Sequence, residues 1–355
     1  IMAMPALAAI VAPFMASHIA DRFIGAELML ALCHVLCGTV MLILSVQTRF
    51  WLFLPCYFLY GLLFAPTYGL TNTVTLHHVA DAKRDFGGIR MWGTASWVFL
   101  AWTFGYLWLA GNPERLRHAL ILSALSSFAL AIYALTLPRA QVHEDAPKTL
   151  TYWKAMRVFA QPGLALLCVL TFVNGMTHQF FYFGMSPFLH QLGFANNEIM
   201  PFMSLGQVSE VVVLAILGIC MARLGTKRIM VLGALAQVVR FIAFLSPATP
   251  SIFVGIVMHG FCYAFWFTAA YIYVDQRSTP ETRAGAQQLF TIVISGLGAF
   301  GGFQVAGYAG QWCLSPETGL IDFQRFWLVP LFLSAATALT LALFFRETAA
   351  PEKES

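Results

Sequence analysis

Glu210 stands inside the run GQVSEVVVLAI (206–216), and the nearest charges on either side are Glu198 and Arg223. A helix through this run sets one carboxyl deep among apolar residues. An ionised side chain at such a depth costs about 2.5–3.5 kcal/mol on insertion scales. Desolvation favours the neutral carboxyl, and a carboxyl whose charge follows its access to water is what proton coupling requires. Gln207 precedes it by three residues, so amide and carboxyl share one helix face. The alternative is a protonated glutamic acid that bonds a neighbouring helix.

Other polar residues in apolar surroundings are few. Arg90, Thr94 and Trp97, in GGIRMWGTASWVF, recur at i, i+4 and i+7, which lines cation, hydroxyl and aromatic along one helix stripe. This fits a cavity wall; the alternative for Arg90 is snorkelling from a helix end. Asn72 and Thr73 follow Pro66, where they could satisfy a carbonyl that proline frees or bond a packed neighbour. Gln179 lies close to Asn174, His178 and Tyr182 and ahead of Pro187. That group is expected to face a cavity in part, with His178 itself a packing histidine. His259, Tyr263 and Trp266 offer aromatic faces with polar tips, and of these Tyr263 is the candidate to stack on a flat ligand. Arg240, in AQVVRFIAF, is expected to be structural, pairing near the outer end of its helix. Gly285, Gly296, Gly298, Gly301 and Gly302 line one late helix, where small residues let helices approach closely.

No catalytic set accompanies these residues. HExxH, GxSxG, a Walker loop and zinc-ligand spacing are all absent from the sequence. The seven cysteines are scattered through apolar stretches with no CxxC pair, as small apolar filler would be. The chain is therefore not expected to be an enzyme, to bind a metal or to need a cofactor.

The elements that must position the candidates follow from composition. The 355 residues are 59% hydrophobic and 10% charged, against roughly 25% charged in soluble domains. Apolar stretches of membrane-spanning length recur, and the short alternating segments of a β-barrel do not. The sequence predicts an all-α polytopic membrane protein with spans near 1–19, 28–46, 51–76, 89–111, 117–137, 163–191, 199–221, 229–246, 250–274, 284–312 and 323–345. The longest polar stretch, 138–157, separates five spans from six, and its TYWKAMRVF part suits an interfacial amphipathic helix. The expected division is 1–137, a helical half; 138–162, a central loop; 163–347, a second half; and 348–355, a tail.

Lysine and arginine orient the chain. One alternate set of gaps holds Arg22, Lys83, Arg84, the basic central loop, Arg223, Lys227, Arg228, Arg277, Arg283, Arg346 and Lys353. The other holds Arg49, Arg115, Arg117 and Arg325. The first set, with the C-terminus, is expected in the cytoplasm. The chain opens inside an apolar run, IMAMPALAAIVAPFM, which reads as a fragment lacking one helix. Restoring that helix makes two halves of six, the build of many secondary transporters. A weak repeat agrees: SHIADRFIGAELML and MARLGTKRIMVLG are both short, basic, glycine-containing turns.

In these turns the chain resembles the major facilitator superfamily. Asp21-Arg22 match the signature, while Ser17, Gly25 and Glu27 depart from it; Arg223, Gly225, Lys227 and Arg228 fit better. Further stretches make it similar to the nucleoside:H+ symporter family over residues 1 to about 347. They are Pro66-Thr67 to Asn72-Thr73, Ile89-Arg90-x-Trp92-Gly93-Thr94, Gln207-x-x-Glu210 and Arg283-Ala-x-Ala-Gln287. The resemblance implies a major facilitator fold and import of purine and pyrimidine nucleosides with protons. It implies substrate contacts at Arg90, Thr94, Trp97, Gln179, Gln207 and Tyr263, and proton coupling at Glu210. Three positions depart from the family pattern: Tyr182 replaces an asparagine, His259 a tyrosine, and Ala264 an acidic residue. They bear on nucleoside selectivity, and Ala264 leaves Glu210 as the main candidate proton carrier.

The expected mechanism is alternating access, with the ligand at the bilayer midplane between the halves. Gln179 and Gln207 would hydrogen-bond ribose or base, and Tyr263 and Trp97 would stack on the base. Arg90 could pair with Glu210 in one state and help it lose its proton. The proton gradient is the energy source and no cofactor is needed. The expected partners are nucleosides, protons and membrane lipids, with no nucleic acid, and the expected state is a monomer in the inner membrane. Two alternatives stay open: a major facilitator transporter of another small polar solute, such as a sugar or drug, and a non-transporting sensor or scaffold.

Overall fold

The computed structural model describes residues 1–11, 25–78, 82–137 and 156–347. The Asp21-Arg22 turn, most of the central loop and the tail lie outside the described residues. The described chain is helical throughout apart from turns and one isolated bridge, Leu314 to Ile321. It divides into two compact units, Ile1–Pro147 and Lys148–Ser355.

In the first unit, α1 is helical over 4–11. It is followed by α2 (Ala26–Val46), α3 (Phe50–His78), α4 (Ala82–Trp102, prolonged by a π stretch Thr103–Leu109) and α5 (His118–Ala134). Helix α2 packs on both α3 and α5, burying Leu30, Cys33, Met41 and Leu44. Where α2 meets α5, Gly38 faces the Phe128 ring closely enough to leave no room for a β-carbon. Arg117, just ahead of α5, closes this corner by donating from Nε to the Ser45 carbonyl.

The second unit holds α6 (Pro162–Gln191), α7 (Asn196–Leu224), α8 (Thr226–Phe244), α9 (Thr249–Gln276), α10 (Pro280–Trp312) and α11 (Phe323–Phe344). Helix α9 runs through a π stretch at Cys262–Thr268, and α10 through one at Ile292–Gly298. Proline opens α6 and α10, where its missing N–H costs no intrahelical bond. Gly225, at φ +81°, turns α7 into α8, a backbone conformation that a β-carbon disfavours. Asp322 caps α11 by accepting the Arg325 amide at 3.2 Å. At the start of α8 the carboxylate of Glu347 accepts the Lys227 backbone N–H at 2.5 Å. Helix α7 packs on α9, α8 on α9 and α11, and α6 on α10 and α11.

Among the described residues, eight helical stretches are long and apolar enough to cross a membrane: Glu27–Val46, Phe50–Tyr68, Glu114–Ala134, Gly163–Gln191, Asn196–Leu224, Thr249–Gln276, Gly285–Trp312 and Phe323–Phe344. The stretches expected near 89–111 and 229–246 form helices but fall short of that apolarity. Helix α8 carries Lys227, Arg228 and Arg240 in 19 residues, and α4 carries Lys83, Arg84, Asp85 and Arg90.

Candidate functional site

The interior of the second unit is layered. One apolar cluster holds Leu164, Leu167 and Leu170 of α6, Val213 and Leu217 of α7, Ile229 to Ala234 of α8 and Ala264 to Val274 of α9. The other holds Phe180 to Leu189 of α6, Ile199 and Met203 of α7, Phe241 and Phe244 of α8, and Ile252 and Ile256 of α9. On each of these four helices a group of buried or half-buried polar residues falls between the two clusters. They are Thr171, Asn174, Thr177 and His178 on α6; Ser204, Gln207 and Glu210 on α7; Gln237 and Arg240 on α8; and His259 on α9. A polar layer enclosed by two dry ones is costly unless its groups serve one another or a ligand.

Two glycines set the geometry of this layer. A β-carbon at Gly206 would come within 3.0 Å of the His259 β-carbon, and one at Gly260 within 2.5 Å of the Glu210 nitrogen. Their absence lets α7 and α9 touch backbone to backbone, and Ser209 adds a hydrogen bond to the Val257 carbonyl at 2.7 Å. Glu210, at the midpoint of the 29-residue α7, thereby faces the His259 ring, with Oε2 3.6 Å from Nε2. Gln207 Nε2 lies 3.4 Å from the same ring nitrogen. The Glu210 side chain is 14% exposed and that of His259 1%, so the carboxyl is the accessible member of the pair.

Aromatic rings wall His259 in. Its centroid is 5.0 Å from that of His178, 5.7 Å from Phe181, 6.2 Å from Tyr182 and 6.3 Å from Tyr263, the last nearly parallel at 20°. Arg240 is fully buried, its guanidinium carbon 3.9 Å from the Phe181 ring centroid. It interacts electrostatically with His178, Tyr182 and His259 and touches the Cys262 thiol. None of its three nitrogens finds a conventional hydrogen-bond acceptor among the described residues, and Asn174, His178 Nδ1, Gln207 Oε1, Gln237 Oε1 and His259 Nδ1 are likewise unpartnered. Native interiors leave few such atoms, and most of those among the described residues lie in this layer. Gln237 does donate to Thr177 at 3.2 Å, locking α8 to α6 beside the layer.

The structure thus brings together Gln207, Glu210 and, through His259, Tyr263. Gln179 is half-buried on the other side of α6, where a β-carbon at Gly302 of α10 would meet its own β-carbon at 2.9 Å. Thr94, half-buried, and Trp97, 38% exposed, lie on α4 of the first unit. The side chains of Arg90, Asn72, Thr73 and Arg283 are outside the described residues. His178 is buried among aromatic rings, but its Nδ1 has no partner among the described residues, so it is not a fully satisfied packing histidine. Arg240 differs from expectation: it is held over an aromatic ring, not in an ion pair, because no described carboxylate comes within bonding distance and the Phe181 face supplies cation–π attraction.

His259 is the residue that sequence reasoning undervalued, naming it as an aromatic face with a polar tip and as a departure from the family pattern but assigning it no role. Counting along the parallel helices would have found it. His259 lies ten residues into α9 and Glu210 fourteen into α7, about one helical turn apart in depth.

Comparisons with known proteins bear on the family and the fold. The family model described as nucleoside H+ symporter matches residues 1–350. The xanthosine permease of Escherichia coli (strain K12) is 28% identical over 96% of this chain and 84% of its own length. The nucleoside permease NupG of the same strain is 25% identical over 96% of this chain and 85% of its own. The crystal structure of the nucleoside transporter NupG superposes with a TM-score of 0.85 at 22% identity, covering 98% of this chain and 89% of that one. The fold is therefore that of a major facilitator transporter.

Proposed function

The chain belongs to the nucleoside H+ symporter family, and on that premise we propose that it imports nucleosides together with protons, Glu210 carrying the proton. One observation bears most of this reading: a carboxyl at the midpoint of α7, 14% exposed, set in a polar layer between two apolar clusters. Such a group is accessible enough to exchange a proton and dry enough for its charge state to matter. The gradient supplies the work: each inward proton gains about 2.3 kcal/mol per 100 mV of potential. The chain's own groups do the rest, and no cofactor enters the cycle.

In an alternating-access cycle Glu210 takes a proton from outside. Substrate binds while the carboxyl is neutral, and both leave inside. Gln207, three residues before Glu210 on the same helix, would hydrogen-bond the nucleoside, so that its binding feels the protonation state next door. Tyr263 would stack on the base, and Gln179 from α6 and Arg90, Thr94 and Trp97 from α4 would complete the contacts. Residues 1–137 and 163–347 would act as the two halves, joined by a cytoplasmic loop at 138–162 and followed by a cytoplasmic tail at 348–355. The basic gaps support a cytoplasmic C-terminus, and we read the protein as a monomer among lipids of the inner membrane.

The test is uptake of labelled uridine and adenosine by cells expressing the protein, measured against external pH for wild type and Glu210→Gln. Acid-stimulated accumulation is expected in the wild type and should vanish in the variant. Accumulation that survives unchanged in Glu210→Gln removes the carboxyl from the proton path. If uridine and adenosine are neither taken up nor compete, the substrate class is removed.

A further inference from the structure

We propose that His259 is a second proton-holding group, sharing the transported proton with Glu210; this rests on Glu210 being the proton carrier. The two side chains come from facing helices held in backbone contact by Gly206 and Gly260. Their reacting atoms, Oε2 and Nε2, are 3.6 Å apart. A small side-chain rotation or one bridging water brings such a separation to transfer distance.

The order of burial gives the path a direction. Glu210 is 14% exposed and His259 1%, so a proton arriving from water meets the carboxyl first. Transfer then breaks the O–H bond at Oε2 of Glu210 and forms an N–H bond at Nε2 of His259. It leaves carboxylate against imidazolium, with the total charge of the pair unchanged. The reverse transfer returns the proton to Glu210 for release. No other reactant is needed.

Gln207 is placed to serve both states. Its Nε2 lies 3.4 Å from His259 Nε2 and donates to that nitrogen when the imidazole is neutral and protonated on Nδ1. Its Oε1 is buried with no partner among the described residues. Turning the amide by half a rotation offers Oε1 to the N–H of the protonated ring. The amide can therefore exchange one hydrogen bond for another as the proton moves.

The other ionisable or polar groups facing His259 are His178 and Tyr182 from α6, Arg240 from α8, and Cys262 and Tyr263 on its own helix. Arg240 is the fixed charge among them. It stands as a repulsive neighbour to an imidazolium. It thereby keeps the His259 proton transient.

A packing role for His259 predicts different behaviour, which sets the experiment. The protein is reconstituted in vesicles, and two quantities are read between about pH 5 and 8, the range in which imidazole titrates. One is uridine accumulation driven by an imposed pH gradient; the other is uridine counterflow, which needs no net proton movement. The variants are His259→Gln, His259→Phe and Glu210→Gln. Both histidine variants should lose about tenfold or more of gradient-driven accumulation and flatten its pH profile, with counterflow kept within about twofold of wild type. Wild-type accumulation in His259→Gln overturns the inference. So does a loss of counterflow in equal proportion in both histidine variants, the outcome of a packing role. In either case loss of coupled uptake in Glu210→Gln leaves the carboxyl's own role standing. Wild-type accumulation in Glu210→Gln overturns both.

Discussion

Gly260 packs its bare backbone against Glu210: a β-carbon there would lie 2.5 Å from the Glu210 nitrogen and equally close to the Ser209 carbonyl carbon. The obstruction is backbone, which cannot turn aside as a flexible side chain can. Gly260→Ala should therefore pry α7 from α9. The strain of such overpacking is about 1–3 kcal/mol. A lowered melting temperature in detergent should accompany a loss of pH-driven uridine uptake larger than the loss of membrane expression. Gly218, which has open space around it, is the control, and Gly218→Ala should leave both unchanged.

Arg240 supplies a second prediction. Its charge interacts with His178, Tyr182 and His259, and a nearby cation favours the states of its neighbours that hold fewer protons. Arg240→Met keeps length and apolar contact with Phe181 but removes the charge. The polar layer should then hold its proton more readily, so the falling limb of uptake should move to higher pH and release should slow. Arg240→Lys should lie between the two. A profile that merely drops in height, without moving, would assign Arg240 to structure alone.

The family resemblance implies an acid at the position of Ala264, and restoring one is a natural experiment. Here Ala264 is fully buried in the apolar cluster with Leu167, Val213 and Trp266. A carboxylate at that point faces no described cation and pays its desolvation in full. Ala264→Asp should reduce expression or thermal stability and should not rescue Glu210→Gln. Rescue of coupled uptake would show that the side chain at 264 reaches the polar layer.

The role proposed for Gln207 is in solute binding, distinct from proton coupling. Gln207→Leu should raise the KM for uridine by about tenfold, the worth of a hydrogen bond or two in a dry site, with the maximal rate less affected. A variant with unchanged KM and a flattened pH profile would move Gln207 from the solute to the proton.

Much of this architecture was legible in the sequence, and the reasons differ by feature. The helices of the second unit follow the apolar runs to within a few residues, because length and hydropathy are local properties. Glu210 was legible because a lone carboxyl in such a run has few explanations. The π stretches at Cys262–Thr268 and Ile292–Gly298 were not, since one extra residue in a turn leaves composition untouched. Nor was the seat of Arg240 on Phe181. A cation is expected to seek a carboxylate, and only the packing of α6 on α8 puts an aromatic face there instead. His259 escaped for a related reason. Its importance comes from the distance between two helices, which Gly206 and Gly260 set without any chemistry of their own.

Every group gathered around His259 belongs to α6, α7, α8 or α9, all within the unit Lys148–Ser355. The groups proposed to handle the proton thus lie in one contiguous stretch of the gene. A chimera that borrowed its first 147 residues from a related permease would inherit this stretch entire. If the acid response travels with the second parent while solute preference drifts toward the first, the two traits are modular and can be bred apart.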